Sequence, residues 1–141
     1  MGHSDPGSTG AKRMIRTFVL SLSAMLFSGT CCAHHSFSAE FDIGRPVEIT
    51  GAVINVEWTN PHAWIHLAVQ DDSGATTEWA VEMLGVITLV RSGMSPQTVK
   101  PGDVLTITGF GARNGTNTAN ASSVTRTGTG ESLWASAGDN Q

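Results

Sequence analysis

His62-Ala-Trp-Ile-His-Leu-Ala-Val-Gln70, followed by Asp71-Asp-Ser-Gly-Ala75 and Thr76-Thr-Glu-Trp-Ala-Val-Glu-Met83, decides how this chain folds. Ala63, Ile65, Leu67 and Val69 alternate with polar or small residues, and so do Thr77, Trp79, Val81 and Met83. A period of two marks a strand with one buried face. The stretch between is made of turn formers and reads as a hairpin connection. Burying both odd-numbered faces requires odd residues to pair with odd, because a slip of one residue would turn every side chain over. With residues 71–75 as the loop, Gln70 faces Thr76, His66 faces Ala80 and Trp64 faces Glu82. His62, Trp64 and His66 then share the outward face with Glu78 and Glu82. Glu82 becomes a diagonal neighbour of both histidines and Glu78 of His66, at roughly 7–8 Å between backbones, which long side chains bridge.

Outward from this hairpin the pattern stays β. Residues 46–58 read as a long strand carrying Val47, Ile49, Val53, Ile54 and Val56. Its alternation changes phase between Ile49 and Ile54, and Gly51 between them is where a bulge or sharp bend is expected. Thr59-Asn60-Pro61 is a turn that Asn60 caps and Pro61 stiffens. Val86, Ile87, Leu89 and Val90 have helical spacing and Gly93 is a stop, so a short helix is expected there. Lys100-Pro-Gly-Asp103 is a turn, residues 104–110 a fourth strand, Asn114-Gly115 a hairpin and residues 119–126 a fifth strand. The order is three strands, a short helix and two strands, with a long bent first strand. It predicts an all-β domain over residues 34–127, a small five-stranded OB-like barrel with one short helix between strands three and four. Phe37 and Phe41 are expected to pin a lead-in arm, and the Gly/Ser/Ala-rich residues 128–141 read as a flexible tail.

The N-terminal segment assigns a compartment. Lys12, Arg13 and Arg16 precede the apolar run from Phe18 to Phe27, and Ser28-Gly-Thr-Cys-Cys-Ala33 follows. Basic, apolar, then small is the layout of a secretory signal. The apolar run is short of the about 20 residues that span a bilayer. Residues 1–33 are therefore read as leader and signal, with Met14 as an alternative start, and the product as periplasmic or secreted. Cleavage after Ala33 removes Cys31 and Cys32, which excludes disulfides and thiolate chemistry from the mature domain. From His34 onward eleven acidic residues stand against five basic ones, a net charge of −6. An acidic domain is a poor nucleic-acid binder, since that affinity comes from neutralising phosphates. The expected partner is a small ligand or metal ion, or a periplasmic protein, with no stable membrane anchor after cleavage.

Four histidines remain in the mature domain, His34, His35, His62 and His66. His62 and His66 lie four residues apart, roughly 13 Å along a straight strand. Ligands must come within about 2.1 Å of a metal ion, so the two do not share one unless the strand bends. Cleavage after Ala33 would give His34 a free amine that, with its own imidazole, chelates copper. Cleavage one residue earlier would place His35 third, in a square-planar copper or nickel site. Imidazole-rich sites suit copper. His34, His35 and His62 are the candidate metal ligands, with Glu82 in support. The plain alternative for an exposed His–Glu pair is a solvated surface contact. Trp58 and Trp79 suit core packing, whereas Trp64 on the polar face suits a stacking platform for a glycan or a protein. Trp58, Asn60, Trp64, Glu82 and Arg91 are the candidate ligand-binding residues. No Ser-His-Asp context, phosphate-cradling glycine loop or HExxH motif is present, and no complete catalytic constellation is found.

Ala33-His-His-Ser-Phe37, Pro46-Val-x-x-Thr-Gly51, Glu57-Trp-Thr-Asn-Pro-His-Ala-Trp64, Trp79-x-x-Glu82, Leu89-x-Arg91-x-Gly93 and Val99-Lys-Pro-Gly-Asp103 resemble the bacterial exported family numbered 6152 among the domains of unknown function. The resemblance runs from about Ala33 to Thr125, and the Trp-Thr-Asn-Pro-His-x-Trp stretch is its most specific part. It implies an exported small β domain of unassigned activity and supplies no catalytic residue or substrate. His66 lies within the match but outside the motif.

Overall fold

The chain divides into two compact units, Met1–His34 and His35–Gln141. The structure, a computed structural model, describes residues 1–2 and 37–136. Residues 3–36, with the segment read as a signal and the histidines His34 and His35, lie outside the described residues.

The second unit is mostly β. A one-turn helix, α1 (Phe37–Glu40), leads into β1 (Phe41–Glu57), β2 (Trp64–Gln70) and β3 (Thr76–Glu82). A short helix, α2 (Val86–Arg91), precedes β4 (Val104–Ala112), β5 (Thr118–Arg126) and β6 (Glu131–Ala135). All six strands belong to one sheet in the order β3-β2-β1-β4-β5-β6. Neighbours in that order run antiparallel, and β3 also pairs in parallel with β5 through Ala80–Thr118, Val81–Ala119 and Glu82–Asn120. The pairings therefore return to their start, from β1 through β2, β3, β5 and β4 back to β1.

The β2–β3 hairpin has the expected register, with Gln70 opposite Thr76, His66 opposite Ala80 and Trp64 opposite Glu82. Ala63, Ile65, Leu67, Val81 and Met83 are all buried, with Leu67 and Val81 at 0% exposure. They pack with Ile49, Val53, Leu89, Leu105, Ile107 and Val124 in one core. Helix α2 adds Leu89 to that core and ends as expected at Gly93, where Met94 N–H closes the turn onto the Leu89 carbonyl at 3.0 Å. Phe41 is buried, and Phe37 packs against it with tilted rings at 5.7 Å and meets Phe110 edge-on at 5.8 Å, so the arm is pinned as its aromatics suggest.

Two expectations need correction. The phase change in β1 is not at Gly51: the register slips between Val53 and Asn55, and Ile54 is the extra residue, 47% exposed. Gly51 answers a different need, since a Cβ there would lie 2.6 Å from the Ala68 carbonyl oxygen. Only a residue without a side chain lets β2 cross β1 this closely. The strand count is six rather than five, because residues read as a flexible tail form β6. Gly128 and Gly130, at φ 90° and 70°, make the turn that folds it back. Trp134, 4% exposed, then enters the core. Small-residue composition hid both the turn and its anchor.

Candidate functional site

The outward face of β2 and of the residues leading into it carries two histidines in different surroundings. His62 stands just before β2, where the ladder continues through Met83 N–H to the Ala63 carbonyl at 2.8 Å and Ala63 N–H to the Leu84 carbonyl at 3.2 Å. That pairing holds the His62 ring over the end of β3. Its Nδ1 lies 3.0 Å from Glu82 Oε1 and 3.1 Å from the Met83 carbonyl oxygen. A carbonyl only accepts, so Nδ1–H is the donor and the remaining ring nitrogen is Nε2. The His62 side chain is 45% exposed and that of Glu82 only 9%. Burial pushes the Glu82 carboxyl above its ordinary 4.5, the His62 charge pulls it back, and Glu40 pushes it up again.

His66 is held from both sides. Its Nε2 lies 2.8 Å from Glu57 Oε1 and its Nδ1 3.2 Å from Glu78 Oε1. Three adjacent strands, β1, β2 and β3, are joined by this Glu–His–Glu row. The two carboxylates grip opposite ring nitrogens, so they do not converge with the imidazole on one point. Among the described residues no group of three or more His, Cys, Asp and Glu is arranged to hold a metal ion.

The Glu82 contact to His62 and the Glu78 contact to His66 follow from the register. Glu57 was not foreseen; it reaches this face only because the bulge at Ile54 sets Glu57 opposite Trp64 and Asn55 opposite His66. The phase switch in the β1 sequence is the signal that carries it, once placed three residues later than Gly51.

The other candidates separate. Trp64 is half-buried and lines a groove of ≈ 330 Å³. Glu40, Phe41, Arg113, Asn114 and Thr118 are among the residues that line it with Trp64. Arg113 is oriented by its Nε–H to the Ser38 carbonyl at 2.8 Å and by Asp42 at 3.8 Å. Trp58 packs against the core. Asn60 accepts from Val86 N–H at 3.2 Å, satisfying a donor at the start of α2 that no other side chain caps. Arg91 is exposed in the last turn of α2 and joins neither the His62–Glu82 pair nor the groove. Trp58 and Asn60 thus have structural work, and Trp64 and Glu82 remain as candidate site residues.

Comparison with known families gives one match: the model of the family of unknown function DUF6152 covers residues 23–121. No curated protein matches the chain.

Proposed function

Since the chain belongs to the family of unknown function DUF6152, whose description supplies no activity, the function has to be argued from the site, and we propose that it is an exported binding module for a transition-metal ion, copper above all. The observation that carries this reading is the orientation of His62. Metal-ligating histidines characteristically donate their second ring N–H to a carboxylate or carbonyl, which fixes the tautomer and aims the free nitrogen at the metal. His62 has both partners on Nδ1, Glu82 at 3.0 Å and the Met83 carbonyl at 3.1 Å, on a ring that is 45% exposed. One imidazole does not make a centre, and the sequence supplies the further donors in His34 and His35. Glu82 serves as the orienting group behind His62. The ring of strand pairings supports an OB-like barrel, five strands closing it and β6 added at its side.

The test is copper titration of the untagged, exported protein by calorimetry and electron paramagnetic resonance, with N-terminal sequencing of the same sample. One equivalent bound at micromolar affinity or tighter is expected, with nitrogen hyperfine structure, and His62→Ala or His34→Ala weakens it about 100-fold. No binding tighter than about millimolar overturns the proposal.

A second reading, a metal-free barrel that binds a glycan or a protein partner, is favoured by one observation. Trp64 is an aromatic residue on an otherwise polar sheet face, and it lines a groove of ≈ 330 Å³.

A further inference from the structure

We propose that the groove beside Trp64 is a subsite for a neutral saccharide, one pyranose ring of which stacks on the indole; this rests on the second, metal-free reading above and not on the copper site. The groove volume of ≈ 330 Å³ sits at the small end of the range for ligand clefts, about 300–1,000 Å³. His62 is not among its lining residues, and Trp64, opposite Glu82 in the ladder, makes the groove a neighbour of the His62–Glu82 pair.

The lining selects the ligand class. Trp64 and Phe41 are its aromatic lining, and with Phe41 buried at 3% exposure it is half-buried Trp64 that has a ring to offer. Glu40, itself engaged by another group, brings a carboxylate to the lining, and Arg113, 48% exposed at its side chain, brings a guanidinium. Asn114 turns its amide oxygen into its own hairpin, to Thr116 N–H at 3.0 Å and Thr116 hydroxyl at 2.7 Å, and so presents its NH₂ group as donor. A flat apolar face bordered by both donors and acceptors matches a sugar ring, whose C–H face is apolar and whose hydroxyls both donate and accept. Glu40 and Arg113 are the acid and the base of the lining, and Asp42, 3.8 Å from Arg113, adds a second negative charge that disfavours an anionic ligand. The acidic mature domain, at −6, further disfavours acidic sugars and nucleotides.

The groove is also preformed. Phe37 and Phe41 pack together, Phe41 is buried and pairs with Ala112, and Arg113 N–H donates to the Glu40 carbonyl at 2.9 Å. Residues 40–41 and 112–113 of the lining are thus tied together before any ligand arrives, which lowers the ordering cost of binding.

The experiment is a nuclear magnetic resonance titration of the mature protein in EDTA, following the Trp64 indole N–H. The probes are maltose, cellobiose and N,N′-diacetylchitobiose, with putrescine, glutarate and an uncharged tripeptide as controls. At least one disaccharide is expected to shift the Trp64 signal with a dissociation constant below about 10 mM. Trp64→Ala should weaken that binding about tenfold and Trp64→Phe by less than about threefold, since a ring remains to stack. Glu40→Gln should weaken it about tenfold. Thermal melting of each variant separates lost folding from lost binding. A shift caused by the tripeptide and by no sugar overturns the saccharide class while keeping the groove as a ligand site. No shift with any probe removes both, and sugar binding unchanged in Trp64→Ala removes the stacking role.

Discussion

His62 and His66 sit four residues apart on the same outward face, each beside glutamate, yet they are built for different work. His62 has both of its partners, a buried carboxyl and a backbone carbonyl, on Nδ1. His66 has one exposed or half-exposed carboxylate on each nitrogen, at 2.8 and 3.2 Å, and a side chain only 20% exposed. The first arrangement aims a nitrogen outward; the second uses both nitrogens up in joining three strands. Residue type and spacing are thus poor guides to function here, and the count of engaged ring nitrogens is a better one.

The largest effect that would break this comparison concerns copper. His62→Ala is expected to lower affinity about 100-fold and His66→Ala by less than about threefold, read by calorimetry on the same preparation. Equal losses in both variants would erase the distinction. Next comes Glu82→Gln, which keeps a hydrogen-bond acceptor but not the charge behind His62; a loss of about tenfold in copper affinity is expected, with altered copper hyperfine splitting. His66→Ala should instead cost stability, about 1 kcal/mol in urea unfolding, because it breaks cross-strand contacts to two carboxylates that solvent already screens. Glu78→Gln, at a side chain 65% exposed, should cost less than about 0.5 kcal/mol.

The acid–base response sharpens the same contrast. Burial raises the Glu82 carboxyl above 4.5, so the folded protein holds a proton that the unfolded chain has released. Stability of the metal-free protein therefore falls as pH rises from 4.5 through the folded value, and Glu82→Gln should flatten that decline. The opposite limb comes from two other carboxylates held below 3.8. The Ser73 hydroxyl and backbone N–H lower Asp71, and Lys100 N–H, then Arg126, lower Asp103. Their contribution is present above 3.8 and lost as pH falls through the folded values, and it should persist in Glu82→Gln. Urea unfolding from pH 3 to pH 8 on both proteins reads the two limbs.

Much of this was legible before any coordinates. Alternation over residues 63–83 gave the hairpin register and with it the Glu82–His62 and Glu78–His66 neighbours, because a period of two leaves one way to bury Ile65, Leu67 and Val81 together. The short helix was legible from the spacing of its apolar residues. Glu57 was not, because its facing depends on which residue of β1 is extra, and Ile54 and Gly51 are both reasonable positions on local pattern alone. β6 was missed because Leu133 and Trp134 are two adjacent apolar residues in a run of small ones, and adjacent residues make no alternation. Asn60 was read as a turn cap; that it reaches Val86 depends on contacts 26 residues away in sequence. The groove is assembled from residues 39–41, Trp64 and residues 112–118, and no local pattern brings those together.

The extra residue at Ile54 acts as a reading-frame shift written in side chains. Were the ladder to run on from Val53 with Ile54 paired in turn, Glu57 would be aimed at the hydrophobic interior, Val56 at solvent, and His66 would lose its grip on the neighbouring strand. Deleting Ile54 would instead leave a regular strand of unchanged parity, with Asn55 still opposite His66 and Glu57 opposite Trp64. A missing codon at this point is therefore a lighter lesion than one in the paired residues before it, where every later side chain would change face.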